Sequence, residues 1–400
     1  MDRCTAGPTL ALLLALATAD FADGQFFEGF DAPEVAVDPG ASNGWAFFAG
    51  DGQATMQLIR GGEGYASILV DATRDRRGTW WALIKRKVSD RMDLALLSQP
   101  GHELRIEARI RVSHAPRRVN LHVNTQRTTD FHTHLMEFDI PDTTGWHTIS
   151  MTTHGFRAQP GDTVFGQLAL MDWGLERYRV DIAYFKADVV DATRIGPDQG
   201  ERVPYHPPTP DPTKFRQAVR VAEDAVIDLD NPDVSLNNWS VLDGATPKRL
   251  LTVNGTLWVI LRFDLSAFAG KRVAGQGLLE LTTHSVLRAT DDLEDFGQVR
   301  VVEILGGDPV WRRETVSATS LRRGEPLERV FNGQMIIDWP VAEGDGRRTY
   351  FTISRPVLQR MIDGRTLGLA IKPLGSISAS FYAMGNAASR PGALLFDVDE

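Results

Sequence analysis

The chain has almost no cysteine: Cys4 is the only one in 400 residues. It lies ahead of the apolar segment described below, so residues 20–400 carry no thiol. Disulfides, zinc–thiolate sites and a cysteine nucleophile are thereby excluded from that part. Positive charge is also in deficit. Forty-three Lys and Arg stand against 52 Asp and Glu, a net charge of −9, which argues against general nucleic-acid binding. Gly (36) and Pro (21) fall far below collagen-like or disordered levels. No heptad register is visible. No long apolar run follows residue 19, which excludes a multi-span membrane protein. What is present is an ordinary globular composition, 42% hydrophobic and 24% charged. The length allows two or three domains of about 150 residues each, with a core that needs no staples.

The one apolar run, 9–19, follows the single positive charge of Arg3 and ends in Ala17-Thr-Ala19. This is the pattern of a secretory signal cut after Ala19, too short for a spanning helix. The expectation is a secreted protein, extracellular or periplasmic, with no membrane insertion.

Residues 20–191 read as many short strands, such as Ala66–Val70, Glu103–Val112, Val119–Asn124, Trp146–Thr152 and Tyr178–Phe185. Each is rich in β-branched or aromatic residues and is separated from the next by Gly, Pro, Asp or Asn. The stretch 194–213 holds six prolines and predicts an extended spacer. Strands resume after about residue 218, with one helix expected over 354–364, N-capped by Ser354 and ended by Gly364. The expected fold is all-β: two β-sandwich, jelly-roll-like domains at 20–191 and 218–400, joined by a proline-rich linker at 192–217.

The second half resembles the secreted DNRLRE-type domains related to alginate-binding modules. The resemblance is carried by Leu261-Arg-Phe-Asp-Leu-Ser266, Leu278-Leu-Glu-Leu281, Trp311-Arg-Arg-Glu314, Ser380-Phe-Tyr382 and Arg390-Pro-Gly-Ala-Leu394. The first half is similar to galactose-binding-like jelly rolls through Phe27-Glu-Gly-Phe30, Gly64 to Asp71 and Tyr178 to Asp188. It also resembles jelly-roll alginate lyases, through Glu103-Leu-Arg105, His122 and Tyr184-Phe-Lys-Ala187, although Asp188 stands where those enzymes have glycine. These resemblances imply a carbohydrate-active module. They also imply a structural Ca²⁺ held beside the first and last strands, with Glu28 and Asp181 as its ligands. No other cofactor is required.

The residues themselves point to an anionic partner. Between Arg74 and Arg127 thirteen basic residues face five acidic ones, a basic belt on an acidic chain. Within it, alternation places Val119, Leu121 and Val123 on a core face and Arg118, Asn120, His122, Asn124 and Gln126 on the other. Such planar donors and acceptors suit an oligosaccharide, with Trp80, Trp81 and Trp173 as candidate stacking platforms. Asp130-Phe-His-Thr-His134 follows at hairpin distance, so His132 or His134 is expected to approach His122.

β-Elimination on a uronate would use Arg118, Asn124 and Arg127 to neutralise the carboxylate. His122 or His134 would remove the α-proton, and Tyr184 or Tyr178 would protonate the leaving oxygen. A three-histidine metal site and the carboxylate pair Glu137/Asp139 are the other chemistries the sequence offers. Two functions remain open. One is a polysaccharide lyase acting on an anionic polysaccharide such as alginate. The other is a non-catalytic binder of cell-wall or algal glycan.

Overall fold

The computed structural model describes residues 25–49, 52–75, 81–115, 117–131, 133–171, 175–194, 209–237, 241–243, 246–288, 297–332, 337–385 and 391–399. The expected signal segment and most of the proline-rich stretch, 195–208, lie outside them.

The chain is mostly β, with two sheet systems and a few short helices. The first eleven strands are β1 (Gln25–Glu28), β2 (Ala46–Phe48), β3 (Thr55–Gly62), β4 (Tyr65–Asp71), β5 (Trp81–Lys87), β6 (His102–Val112), β7 (Arg117–Thr125), β8 (Leu135–Ile140), β9 (His147–Thr152), β10 (Val164–Met171) and β11 (Arg177–Asp191). They form two antiparallel sheets. One runs β3-β4-β11-β6-β9 with β1 added against β11, and the other runs β2-β5-β10-β7-β8.

Alternation of apolar and polar residues makes this a sandwich. Leu104, Ile106, Ala108, Ile110 and Val112 of β6 point inward, with the charged residues between them turned out. From the facing sheet, Val119, Leu121 and Val123 of β7 and Leu168 and Leu170 of β10 enter the same core. Burial of each such side chain, worth about 1.5–3 kcal/mol, replaces the stabilisation that disulfides would give. Trp45 stacks on Phe30 at 6.0 Å and meets Phe185 edge-on at 5.3 Å. Glycine at 166 makes room for this cluster, since a Cβ there would lie 2.9 Å from the Phe185 ring.

The second sheet system has ten strands and its own core. Two long strands pass between its layers. Gln217–Asp228 pairs with Ala393–Phe396 through residues 217–220, then with Leu257–Phe263 beyond a register shift at Val221/Glu223. Gly277–Arg288 likewise changes partners at a shift between Thr283 and Ser285. Bulges bend a strand, which lets one strand serve two layers. The expected helix is present at Arg355–Ile362, with Pro356 in its first turn and Gly364 at φ 70° after it. Ser354 occupies the N-cap position but its hydroxyl makes no capping bond. Among the described residues no helix is long and apolar enough to cross a membrane.

The two systems meet through charge. Arg360, buried in the second, donates to Glu303 at 2.9 and 2.7 Å and also reaches Glu176, just ahead of β11. His114 sits at the same junction, its Nδ1 hydrogen bonded to the Ser113 hydroxyl at 2.8 Å. Burial, then the guanidiniums of Arg117, Arg355 and Arg360, push its pKa down from 6.5 to about 4. Between those two values the unfolded chain binds a proton that the folded chain refuses, so stability falls as pH drops through this window. The loss attributable to His114 at pH 4.5 is about 2 kcal/mol. Urea unfolding at pH 7.5 and 4.5 should show His114→Asn losing less on acidification than wild type by about that amount. Equal losses would place His114 in an open, uncharged setting.

Candidate functional site

β7 behaves as its alternation dictates on the core side, and its other face contributes to the outer surface of the five-stranded sheet. Register assembles that surface in rows. Lys85, Gln167, His122 and Leu135 lie side by side across β5, β10, β7 and β8. The next row holds Lys87, Phe165 and Asn124. The row on the opposite side holds Phe48, Leu83, Ala169, Asn120 and Glu137. Leu83 and Ala169 are buried without belonging to the core, so this outer face is itself well covered.

Among the described residues three amide atoms on this face have no hydrogen-bond partner: Asn120 Oδ1, Asn124 Oδ1 and Gln167 Nε2. Asn120 is 0% and Gln167 4% exposed. A buried polar atom without a partner costs about 1–3 kcal/mol, so three on one face is a feature to account for. Asn120 uses its other end on Glu137, at 3.3 Å. Around the amides stand half-buried groups: His122, Asn124, and Lys85 with its ammonium 4.7 Å from the centre of the Phe165 ring. At the edge strand Phe48 is exposed.

The arginines expected to hold a substrate carboxylate are already engaged. Arg118 is buried and donates to both oxygens of Asp139, at 2.9 and 3.1 Å, with Glu137 at 3.5 Å. The carboxylate pair Glu137/Asp139 is therefore a counter-charge. Arg127 grips Asp162 at 2.8 and 2.6 Å, and Gln126 donates to the same carboxylate at 3.1 Å while accepting from the Thr163 N–H. Arg127, with the hydrogen bond from Gln126, holds Asp162 below the usual carboxylate range.

The expected base and acid are not brought together. His134 packs edge-on against Phe156 at 5.1 Å, and burial lowers its pKa. Leu135, not His134, neighbours His122 across the strands. Tyr184 is in the other sheet, on its outward face, where its hydroxyl donates to Glu107 at 2.7 Å and its ring stacks on Phe27. Burial and that carboxylate raise its pKa. The sandwich, about 10 Å between sheets, separates it from His122. Tyr178 lies in the core, covered by the Arg117 guanidinium 3.8 Å from its ring centre. The Glu103–Arg105 and Tyr184–Ala187 phrases do sit on adjacent strands, β6 and β11, but His122 is in the opposite sheet. Glu103 serves there as a loop anchor, accepting from Thr153 and from the Gly155 and Phe156 N–H groups.

Nor do the described basic residues form one belt. Arg105, Arg109 and Arg111 lie on the six-stranded sheet, Lys85 and Lys87 on the five-stranded one, and Arg86 turns inward to the Gly44 carbonyl at 3.0 Å. The implied Ca²⁺ ligands are likewise apart. Glu28 is opposite Phe185, whereas Asp181 is opposite Arg111 several residues up β11 and is bound by Ser67, Arg111 and Arg179. Among the described residues no group of three or more His, Cys, Asp or Glu is placed to hold a metal ion. Trp80, Trp173 and His132 fall outside the described residues, as does the side chain of Trp81, whose backbone opens β5 opposite Met171.

Gln167, Lys85 and Phe165 were not singled out from the sequence. The signal was present, since Gln167 is the single polar side chain in the apolar strand Val164–Met171. If Arg118 is a structural ion-pair residue, Arg118→Met leaves Asp139 without its cation and costs about 3–5 kcal/mol in chemical unfolding. An unchanged unfolding midpoint would show that the pair is dispensable.

No family model matches the chain, and no curated protein matches it either. Among solved structures it is similar to a CBM4 structure, with 15% identity over 40% of this chain and 97% of that one, at a TM-score of 0.29. It is also similar to the CBM22-1–CBM22-2 tandem domain of a Paenibacillus barcinonensis protein, with 10% identity over 96% and 98% of the two chains and a TM-score of 0.28. A third is the glycoside hydrolase domain of Endo-D from Streptococcus pneumoniae R6, with 9% identity over 64% of this chain, 34% of that one, and a TM-score of 0.26. Likeness at this level assigns neither family nor ligand. The β-sandwich architecture rests on the strand pairing itself.

Proposed function

We propose that this is an exported, non-catalytic carbohydrate-binding protein whose glycan lies across the outer face of the five-stranded sheet. The observation that carries this reading is the trio of unpartnered amide atoms on Asn120, Asn124 and Gln167. Amides present a donor and an acceptor in one plane, which suits the vicinal hydroxyls of a sugar. A polar ligand, or the water it displaces, supplies the partners these atoms lack. Half-buried Phe165 and exposed Phe48 offer apolar surface for sugar C–H faces. His122 and Lys85 add donors in the same row as Gln167.

Binding is favoured over elimination because the base and the acid stand in different sheets, Tyr184 beside Glu107 and His122 beside Gln167. The face is also better suited to hydroxyls than to carboxylates. Arg118 and Arg127 are held by Asp139 and Asp162, and Lys87 by Asp90 at 2.7 Å.

Affinity electrophoresis through gels containing neutral and acidic polysaccharides tests this. Retardation by a neutral glycan is expected, with Asn124→Ala and His122→Ala each weakening it about five- to twentyfold, the loss of one or two hydrogen bonds. No unsaturated uronate should accumulate on any polymer. Full retention by both variants, or appearance of the unsaturated product, would overturn the reading.

A further inference from the structure

Two adjoining hollows lie away from the sheet face. Between the two sheet systems lies a cleft of about 740 Å³, and a hollow of about 630 Å³ continues from it along β4 and β11. Ser113 and His114 line both, so the two hollows adjoin at these residues. A groove open along its length suits a linear polymer better than a compact metabolite.

Along it six cations, Lys271, Arg272, Arg355, Arg365, Arg177 and Arg179, outnumber four acids, Asp142, Glu176, Asp363 and Asp71. Lys271, Arg272 and Arg355 line the cleft, are exposed, and make no side-chain hydrogen bond or ion pair with a described residue. In the continuing hollow, Arg177 is 78% and Arg179 52% exposed, each paired with an aspartate but with further N–H groups open to solvent. Such exposed pairs hold their partners weakly. The acids of the cleft are largely committed. Glu176 is bound by Arg360, and Asp363 by Arg365 and Gln359. Asp142 accepts the N–H groups of Thr144 and Gly145 and lies 3.5 Å from His147.

We propose that this groove binds a linear acidic glycan, a chain of sugars bearing regularly spaced carboxylates or sulfates. Exposed cations spaced along the two hollows meet such charges in succession, and the low-dielectric walls concentrate their field. Thr143 and Gln276 in the same lining offer a hydroxyl and an amide for sugar hydroxyls. A nucleic acid fits less well. The one aromatic side chain among the described lining residues, Tyr178, is buried, leaving no ring for bases to stack on.

This site shares no residue with the sheet face, so the two can be tested separately in the full-length protein. Affinity electrophoresis and calorimetry with polygalacturonate, dextran sulfate, a neutral glucan and single-stranded DNA form the panel. Wild type is expected to bind polygalacturonate or dextran sulfate, more weakly at raised salt. The two probes distinguish carboxylate from sulfate. The triple variant Lys271→Glu/Arg272→Glu/Arg355→Glu should lose at least about tenfold, roughly 1.4 kcal/mol. The same variant should keep its thermal midpoint and its retardation by the neutral glucan. Asn124→Ala should show the opposite pattern. Absence of binding to both acidic polymers, undiminished binding by the triple variant, or tighter binding of DNA than of either polymer would overturn the proposal.

Discussion

A buried amide must find a partner, and that requirement governs the outer face of the five-stranded sheet. Cross-strand register places Asn120, Asn124 and Gln167 together, and their neighbours leave one polar atom of each unsatisfied. A face built only for packing would carry apolar side chains there, as Leu83 and Ala169 do in adjacent positions. Retaining amides on a covered surface costs stability unless something polar settles against them. The sugar-binding reading follows from this cost.

Ion pairing explains why the site differs from the one expected of a uronate-cleaving enzyme. A long row of basic residues in sequence is distributed over two sheets, because each strand exposes every second residue and neighbouring strands belong to different layers. Once there, each strongly buried arginine needs a counter-charge. Arg118 finds Asp139 and Arg360 finds Glu303, while half-buried Arg111 serves the buried carboxylate of Asp181. Among the cations free of such demands are Lys271, Arg272 and Arg355, where the two sheet systems meet.

Much of the architecture was legible in the sequence. Alternation identified β4, β6, β7, β9 and β11, and the core face of β7 follows from Val119, Leu121 and Val123 alone. The polar face of the same strand was readable for the same reason, including Asn120, His122 and Asn124. What alternation cannot give is the partner strand. Nothing local says that Asn120 lies beside Ala169, or that Gln167 lies beside His122, because those pairings span more than 40 residues. The same blindness placed Tyr184 beside His122. Both are outward residues of their strands, but the outward sides of two facing sheets look in opposite directions. Arg127 looked available because Asp162, which holds it, is 35 residues away.

The side-chain NH₂ resonances of the three amides report on what settles against them. A ¹⁵N-correlated NMR titration of the full chain with a neutral oligosaccharide should move the side-chain signals of Asn120, Asn124 and Gln167 together. The amides near Tyr184 and Glu107, on the far side of the sandwich, should stay still. Movement confined to that far side, with the three amides unperturbed at saturation, would contradict the account.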